Sequence, residues 1–316
     1  MLVFVDLADN SERQVTLSEL ETLKLDNSWL ELRDPSAEEL SVVAERSGIP
    51  AGLLELPKVS SFVNLRVEPE YMVVNFAIVK EILGEKEINP VVLAFTRNLL
   101  VTVQKDADLH VVEMTKRRMN KTKVDPPALV AYYIMDEIVA DHFDHLEKIE
   151  EHTARLEEHV LERPDHTTMK SIFRLKSRLV SFNKILWYER GLVFNLKKCE
   201  TSCLTAKTRN LFDTTHEYLT RQIDIVETYR EILSDAINAY LSTVSNRINS
   251  SIRKLTLVMF YLTIITTLTS FPNTVATFFG ISQFGTTDYL IIYTALTLSI
   301  VLPFVWLWKK KWLKFE

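Results

Sequence analysis

A line of mostly polar side chains follows one face of an otherwise apolar stretch near the end of the chain. Its positions alternate in steps of three and four residues, which places them on one side of an α-helix. They are Thr256, Met259, Thr263, Thr266, Ser270, Asn273 and Thr277, here called the polar seam. An amide in hydrocarbon is costly unless it is buried or wet, so Asn273 indicates a seam that faces a watery axis. The alternative is that these small groups pack one helix against another.

A second candidate for chemistry is the acidic, histidine-rich stretch 136–162, in which His145, His152 and His159 recur every seven residues. One interpretation is a solvated acidic face. The other is a site that senses transition metals, since imidazole suits zinc, nickel or cobalt better than magnesium. Steps of seven residues separate side chains by about 10 Å. Only local pairs, Asp141 with His145 or His142 with His145, could therefore hold one ion.

Two long apolar runs must position the polar seam. No Asp, Glu, Lys, Arg or His occurs from Leu255 to Thr287, and residues 289–308 are again uncharged. About 20 apolar helical residues cross a bilayer core of about 30 Å. We therefore predict a transmembrane domain at 255–308, with two C-terminal transmembrane helices at about 255–280 and 289–308.

Basic residues flank these runs on one side only. Arg253 and Lys254 precede the first run and Lys309–Lys311 follow the second, whereas the connector 280–288 has no basic residue. The positive-inside rule then places both termini in the cytoplasm, with 309–316 as a basic tail. We predict a multi-pass protein of the cell membrane, with the lipid bilayer as a partner.

The residues before the membrane segments predict an α+β cytosolic domain at 1–125. Strands are expected at 2–5, 29–32 and 71–79, and a hairpin is expected from 91–95 and 99–103. Asp34 is expected to cap a helix that has Pro35 at its first position and ends at Gly48.

Residues 126–254 predict a helical domain of long stalk helices. One helix is broken at Pro164, and a second spans about 165–203. A third begins near Thr205 and meets no Gly or Pro before Phe271, so it should enter the bilayer as one continuous helix.

Other functional classes find little support. The net charge of −5 argues against nucleic acid as a main partner. The sequence contains no Gly-rich phosphate loop, metalloprotease helix or nucleophile elbow, so we predict neither an enzyme nor an organic cofactor.

Several blocks, taken in order, resemble the CorA family of divalent cation transporters over nearly the full chain. These blocks are Trp29–Pro35, Glu38–Leu40, Leu56–Val59, Leu100–Val103, Glu227–Glu231, Tyr240–Asn246, Asn249 and Lys254–Thr256. The resemblance implies a CorA-like cytosolic funnel, a homopentamer with four identical partner subunits, and a pore lined by the first span.

One departure from the family concerns the end of that span. The family carries Gly-Met-Asn there and the zinc-associated ZntB branch carries Gly-Ile-Asn, whereas this chain has Gly280-Ile281-Ser282. A serine hydroxyl can also accept hydrogen bonds, but it is shorter and gives a wider, weaker ring. We hypothesise that Asn273, roughly 13 Å inward, supplies an amide ring that partly replaces the missing one.

The same resemblance suggests a gate and a regulatory site. Met259 and Leu262 would form a hydrophobic constriction that closes by dewetting. The family places inhibitory metal sites between neighbouring cytosolic domains, with carboxylates near the start of the stalk. Asp213, His216 and Glu217 occupy that area, although an ordinary first turn of a helix explains them equally well.

These features predict a channel for divalent cations, with magnesium as the preferred substrate, passive uptake toward the cytoplasm and gating by cytosolic metal. One alternative is a zinc, cobalt or nickel transporter of the ZntB-like branch. The other is a non-conducting, membrane-anchored metal sensor that has lost its filter.

Overall fold

The computed structural model describes residues 1–57, 63–83, 87–105, 109–119, 126–162 and 165–279, together with Gly285 and single residues between 290 and 309. The chain divides into two compact units, Met1–Tyr240 and Leu241–Glu316. The first unit holds a sheet with helices on both faces. The second holds the last part of the longest helix and the residues that follow it.

One mixed sheet organises the first unit. Its strands are β1 (Leu2–Asp6), β2 (Glu12–Val15), β3 (Ser28–Arg33), β4 (Asn64–Val67), β5 (Met72–Glu81), β6 (Glu87–Phe95) and β7 (Leu99–Gln104). The strand order is β2-β1-β3-β7-β6-β5-β4, and only the pair β3–β7 is parallel among the described strands. The predicted hairpin is confirmed, because Phe95 pairs with Leu100 in the antiparallel register of β6 and β7.

Three short helices cover one face of the sheet: α1 (Leu17–Thr22), α2 (Ala37–Ser47) and α3 (Ala51–Leu54). The predicted cap of α2 is wrong. Asp34 has a left-handed backbone (φ 40°), and Ser36 is the cap. Ser36 Oγ accepts from Glu39 N at 3.1 Å, and Glu39 Oε2 accepts from Ser36 N at 2.8 Å. This capping box satisfies two backbone donors at once, which explains why the helix starts later.

Four further helices build the other face: α4 (Leu109–Met119), α5 (Pro127–Glu162), α6 (His166–Lys198) and α7 (Ala206–Phe279). Their apolar faces share one core with the sheet, in which Trp29, Phe76, Leu186 and Val226 are fully buried. Asp165 caps α6 by accepting from Thr168 N. The predicted break at Pro164 lies outside the described residues, while α5 ends at Glu162 and α6 begins at His166.

The prediction of one continuous helix from near Thr205 past Phe271 is confirmed, since α7 runs unbroken for 74 residues. In the part of the chain that the structure describes, α7 is the one helix long and apolar enough to cross a membrane. Most of the predicted second span, 289–308, lies outside the described residues, so that span remains a prediction.

Candidate ion pathway and metal sites

The polar seam lies on the C-terminal part of α7. Every seam side chain is exposed in the single chain; Met259, for example, is 59% exposed, and the neighbouring Leu262 is 57% exposed. An isolated helix does not distinguish a face turned to water from one turned to lipid or to another copy. The structure therefore gives the seam a helical geometry but leaves its neighbour to be proposed.

The threonines of the seam use their hydroxyl hydrogens inside the helix. Each donates to the backbone carbonyl four residues earlier. The bonds are Thr256–Ile252, Thr263–Met259 and Thr266–Leu262, each 2.8 Å, and Thr277–Asn273 at 2.7 Å. A hydroxyl has one donor hydrogen and two lone pairs. Once the hydrogen is used in this way, the seam offers mainly acceptors to whatever faces it.

Threonines beside the seam make the same kind of bond. Thr267 donates to the Thr263 carbonyl and Thr274 to the Ser270 carbonyl, each at 2.8 Å. The bond therefore reflects helical geometry and does not mark the seam. Thr266 and Thr267 therefore make the same internal bond but lie on different faces of α7, so one can serve as the control for the other.

Asn273 is exposed on α7. Its depth in the bilayer and its place in an amide ring remain predictions. Gly280, Ile281 and Ser282 lie outside the described residues, so the variant motif itself stays a prediction.

The Asp141–His145 pair is close, but its geometry does not favour a metal. His145 Nε2 lies 3.7 Å from Asp141 Oδ2 and 2.5 Å from the Val79 carbonyl. A ring nitrogen that donates to a carbonyl has no lone pair for an ion. The contact with His145 lowers the pKa of Asp141 even though burial acts against it. Among the described residues, no group of three His, Cys, Asp or Glu side chains is placed to hold a metal.

Asp213, His216 and Glu217 lie on α7 about two to three turns after its start at Ala206, and cations lie near Asp213 and His216. Lys197 forms an ion pair with Asp213. Burial, followed by the positive charges of Lys197 and Arg190, lowers the pKa of His216. A metal ion at Asp213 would have to displace Lys197.

The structure also contains a polar pair that the sequence analysis missed. His142 and Glu189 are both fully buried, and His142 Nδ1 lies 3.7 Å from Glu189 Oε2. No side-chain nitrogen or oxygen of either residue has a hydrogen-bond partner of ordinary geometry in the described part of the chain. Burial lowers the pKa of His142 to about 4 and raises the pKa of Glu189 well above its ordinary range. His142 is therefore neutral near pH 7, and the raised pKa of Glu189 favours its protonated form.

The spacing of apolar residues could have revealed this pair. His142 follows Ile138 and Val139 by four and three residues and precedes Leu146 by four, so it belongs to the buried face of α5. Counting it with the acidic, solvated face was wrong.

Comparison with known proteins identifies the family. A model of the CorA-like Mg²⁺ transporter protein matches residues 25–311. The chain belongs to the CorA family. It is a membrane transporter of divalent cations and not an enzyme. The resemblance predicted from the sequence blocks is thus confirmed.

Individual relatives agree with this assignment. The transporter is 28% identical over 272 residues to the cobalt/magnesium transport protein CorA of Thermotoga maritima, an alignment that covers 81% of this chain and 73% of that protein. The complete CorA magnesium transporter of Methanocaldococcus jannaschii has the same fold, with a TM-score of 0.71 and 20% identity over 98% of this chain and 97% of that one. The ZntB cytoplasmic domain of Vibrio parahaemolyticus also shares the fold, with a TM-score of 0.61 and 13% identity over 77% and 98% of the two chains.

Proposed function

We propose that this transporter is a homopentamer that admits Mg²⁺ passively into the cytoplasm through a pore lined by the polar seam of α7. The observation that carries the proposal is the seam itself, a line of mostly polar side chains whose threonine hydroxyls offer acceptors, on the one described helix able to cross a membrane. The second span at 289–308 and the cytoplasmic position of both termini belong to the same proposal.

The acceptor character of the seam suits a hydrated cation. Magnesium is reluctant to lose its water, and the hydrogens of that water point outward as donors. Hydroxyls such as those of Thr263 and Thr266, whose hydrogens are already used, present lone pairs to these donors. The seam would therefore guide the hydrated ion without binding it directly.

Asn273 and Met259 have different roles along the proposed pore. The Asn273 carbonyl oxygens of five subunits form a polar ring, which offsets the weaker Ser282 position. Met259 and Leu262, deeper toward the cytoplasm, form an apolar constriction that conducts only when it is wet.

Cytosolic Mg²⁺ regulates the gate in this proposal. Asp213 and Glu217 are the candidate carboxylates. Because Lys197 is paired with Asp213 within one chain, the ion needs further oxygen ligands from a neighbouring subunit. Binding would then favour one arrangement of neighbouring subunits over another.

The first prediction concerns the amide ring. Asn273→Leu replaces an amide by an alkyl group of similar size, so it should strongly reduce Mg²⁺ uptake by liposomes that contain the purified protein. Thr274→Val, one position off the seam, is the matched control and should keep wild-type uptake. Wild-type flux in a folded Asn273→Leu protein would contradict the ring.

The same assay separates the alternatives. Uptake of Mg²⁺, Zn²⁺, Co²⁺ and Ni²⁺ is compared, with and without metal on the cytosolic side. Preference for Zn²⁺, Co²⁺ or Ni²⁺ would favour the ZntB-like function. No flux of any ion from correctly assembled protein would favour a membrane-anchored sensor.

A further inference from the structure

A line of apolar side chains follows the exposed face of α6. Its members stand seven residues apart: Phe173 (55% exposed), Val180 (49%), Trp187 (50%) and Phe194 (41%). We call this line the aromatic stripe. The side chains one position earlier, Ile172, Leu179, Leu186 and Val193, are buried in the core at the same spacing. The helix thus has two apolar faces, and only one is covered in the described part of the chain.

The stripe is unlike an ordinary solvated face. On α5, the exposed positions with the same period are Asp144, Glu151 and Glu158. A helix face that meets water normally carries such charges. Exposed apolar side chains that recur every seven residues over about 32 Å indicate a surface that another element covers.

Positive charges lie on and beside the stripe. The Arg190 guanidinium is 4.0 Å from the centre of the Trp187 ring, and Lys198 Nζ is 4.1 Å from that of Phe194. Lys184 is exposed between Val180 and Trp187. An occupant of the stripe should therefore carry negative charge.

A matching surface exists on the same chain. The exposed face of α7 carries Glu217, Asp224 and Glu231, again seven residues apart. We propose that the aromatic stripe of one subunit docks on this acidic line of α7 in a second copy. This docking rests on the proposed homopentamer and would be one of the contacts between its subunits.

Contacts between α6 and α7 of one chain show which residues of the two helices lie at the same height along the helix axes. The rings of Phe194 and His216 are 5.9 Å apart, and Lys176 Nζ donates to Ser234 Oγ at 2.6 Å. The two helices are therefore antiparallel, and seven residues back along α6 correspond to seven residues forward along α7. Rotation about an axis parallel to α7 preserves these heights. Trp187 then faces Asp224 of the next copy, within one residue.

Disulfide cross-linking in membranes tests this arrangement. Two full-length chains lacking native cysteines (Cys199→Ser, Cys203→Ser) are co-expressed with different tags. One carries Trp187→Cys and the other Asp224→Cys. Oxidation should join the two tags with a yield at least about tenfold above that of Trp187→Cys with Asn238→Cys. Asn238 is the matched control, because it lies on the same exposed line about 21 Å away.

A second pair and a charge exchange complete the test. Val180→Cys with Glu231→Cys should also cross-link, since it has the same register. Lys184→Glu in the Trp187→Cys chain should reduce the yield about two- to fivefold, and Glu227→Lys in the partner chain should restore it.

Three results would overturn the proposal. Equal yields of the Trp187→Cys cross-link with Asp224→Cys and with Asn238→Cys would contradict the proposed pairing of Trp187 with Asp224. Absence of both predicted cross-links in protein with the native mass of a pentamer would reject this surface and leave the proposed function intact, whereas a monomeric mass would reject both. Labelling of Trp187→Cys by a lipid-soluble maleimide, with no product between chains, would assign the stripe to the bilayer surface.

Discussion

At the scale of single residues, the buried His142–Glu189 pair has the clearest chemical consequence. Neither side chain can be charged cheaply in the core. The low pKa of His142 means that the unfolded chain takes up a proton first as the pH falls from about 6.5 to about 4. Stability contributed by neutral His142 is therefore lost through that window and constant below it. For Glu189, whose pKa is raised, the stability contributed by the neutral group is lost as the pH rises.

Glu189→Gln tests this pair. The pKa of Glu189 is raised, so the folded protein holds a proton that the unfolded chain releases, and stability falls as the pH rises above about 4.5 toward the folded pKa. The neutral amide cannot titrate. Thermal unfolding of the detergent-solubilised protein should therefore show a flatter dependence on pH above about 4.5 in the variant.

Glu147→Gln is the control, because Glu147 is exposed on α5. It should keep the wild-type pH dependence. Identical slopes for Glu189→Gln and the wild type would show that Glu189 does not hold a proton in the folded state.

At the scale of elements, buried polar contacts connect the strands with α4. Glu31 is fully buried on β3, and its carboxylate accepts from Arg33 Nε at 2.6 Å, Lys116 Nζ at 3.0 Å and Gln104 Nε2 at 3.2 Å. Such a carboxylate is tolerated in the core because its oxygens are hydrogen-bonded and its charge is paired. The network fixes the position of α4 over the centre of the sheet.

The capping box of α2 gives a quantitative prediction at this scale. Ser36→Ala leaves the N–H of Glu39 without its acceptor, which should lower the free energy of unfolding by about 1 kcal/mol. In a unit of this size, the midpoint of thermal unfolding should fall by about 2–4 °C. Ser41→Ala, in the exposed middle of the same helix, should change it little. An equal loss in both variants would contradict the cap.

At the scale of the whole molecule, the proposed transport depends on which face of α7 meets the ion. Thr266→Val removes the lone pairs of one seam hydroxyl and keeps the shape of the side chain. Loss of one net hydrogen bond of about 0.5–1.5 kcal/mol should reduce Mg²⁺ flux about two- to tenfold. Thr267→Val removes the same internal bond off the seam and should retain flux. A larger effect at Thr267 would place a different face on the pore.

An element of the fold could be predicted from the sequence where its residues follow a clear apolar pattern. The long helix α7 was predictable because its apolar positions repeat one period over many residues. Strands β2 and β4 were missed because nearly all their side chains are exposed or half-buried, which leaves little apolar pattern. The cap at Ser36 and the burial of His142 had local signals that the predictions did not use, the Ser36-x-x-Glu39 spacing and the apolar period of α5. The ligands of a regulatory ion depend on contacts between copies, which no single chain contains.

The internal hydrogen bonds of the seam threonines have one more consequence. A chloride ion needs hydrogen-bond donors, and hydroxyls such as those of Thr263 and Thr266 have already given theirs to the helix. Such a wall can distinguish positive from negative ions without carrying any formal charge. Discrimination of sign would then survive high salt, which screens charged rings but leaves the direction of a covalent dipole unchanged.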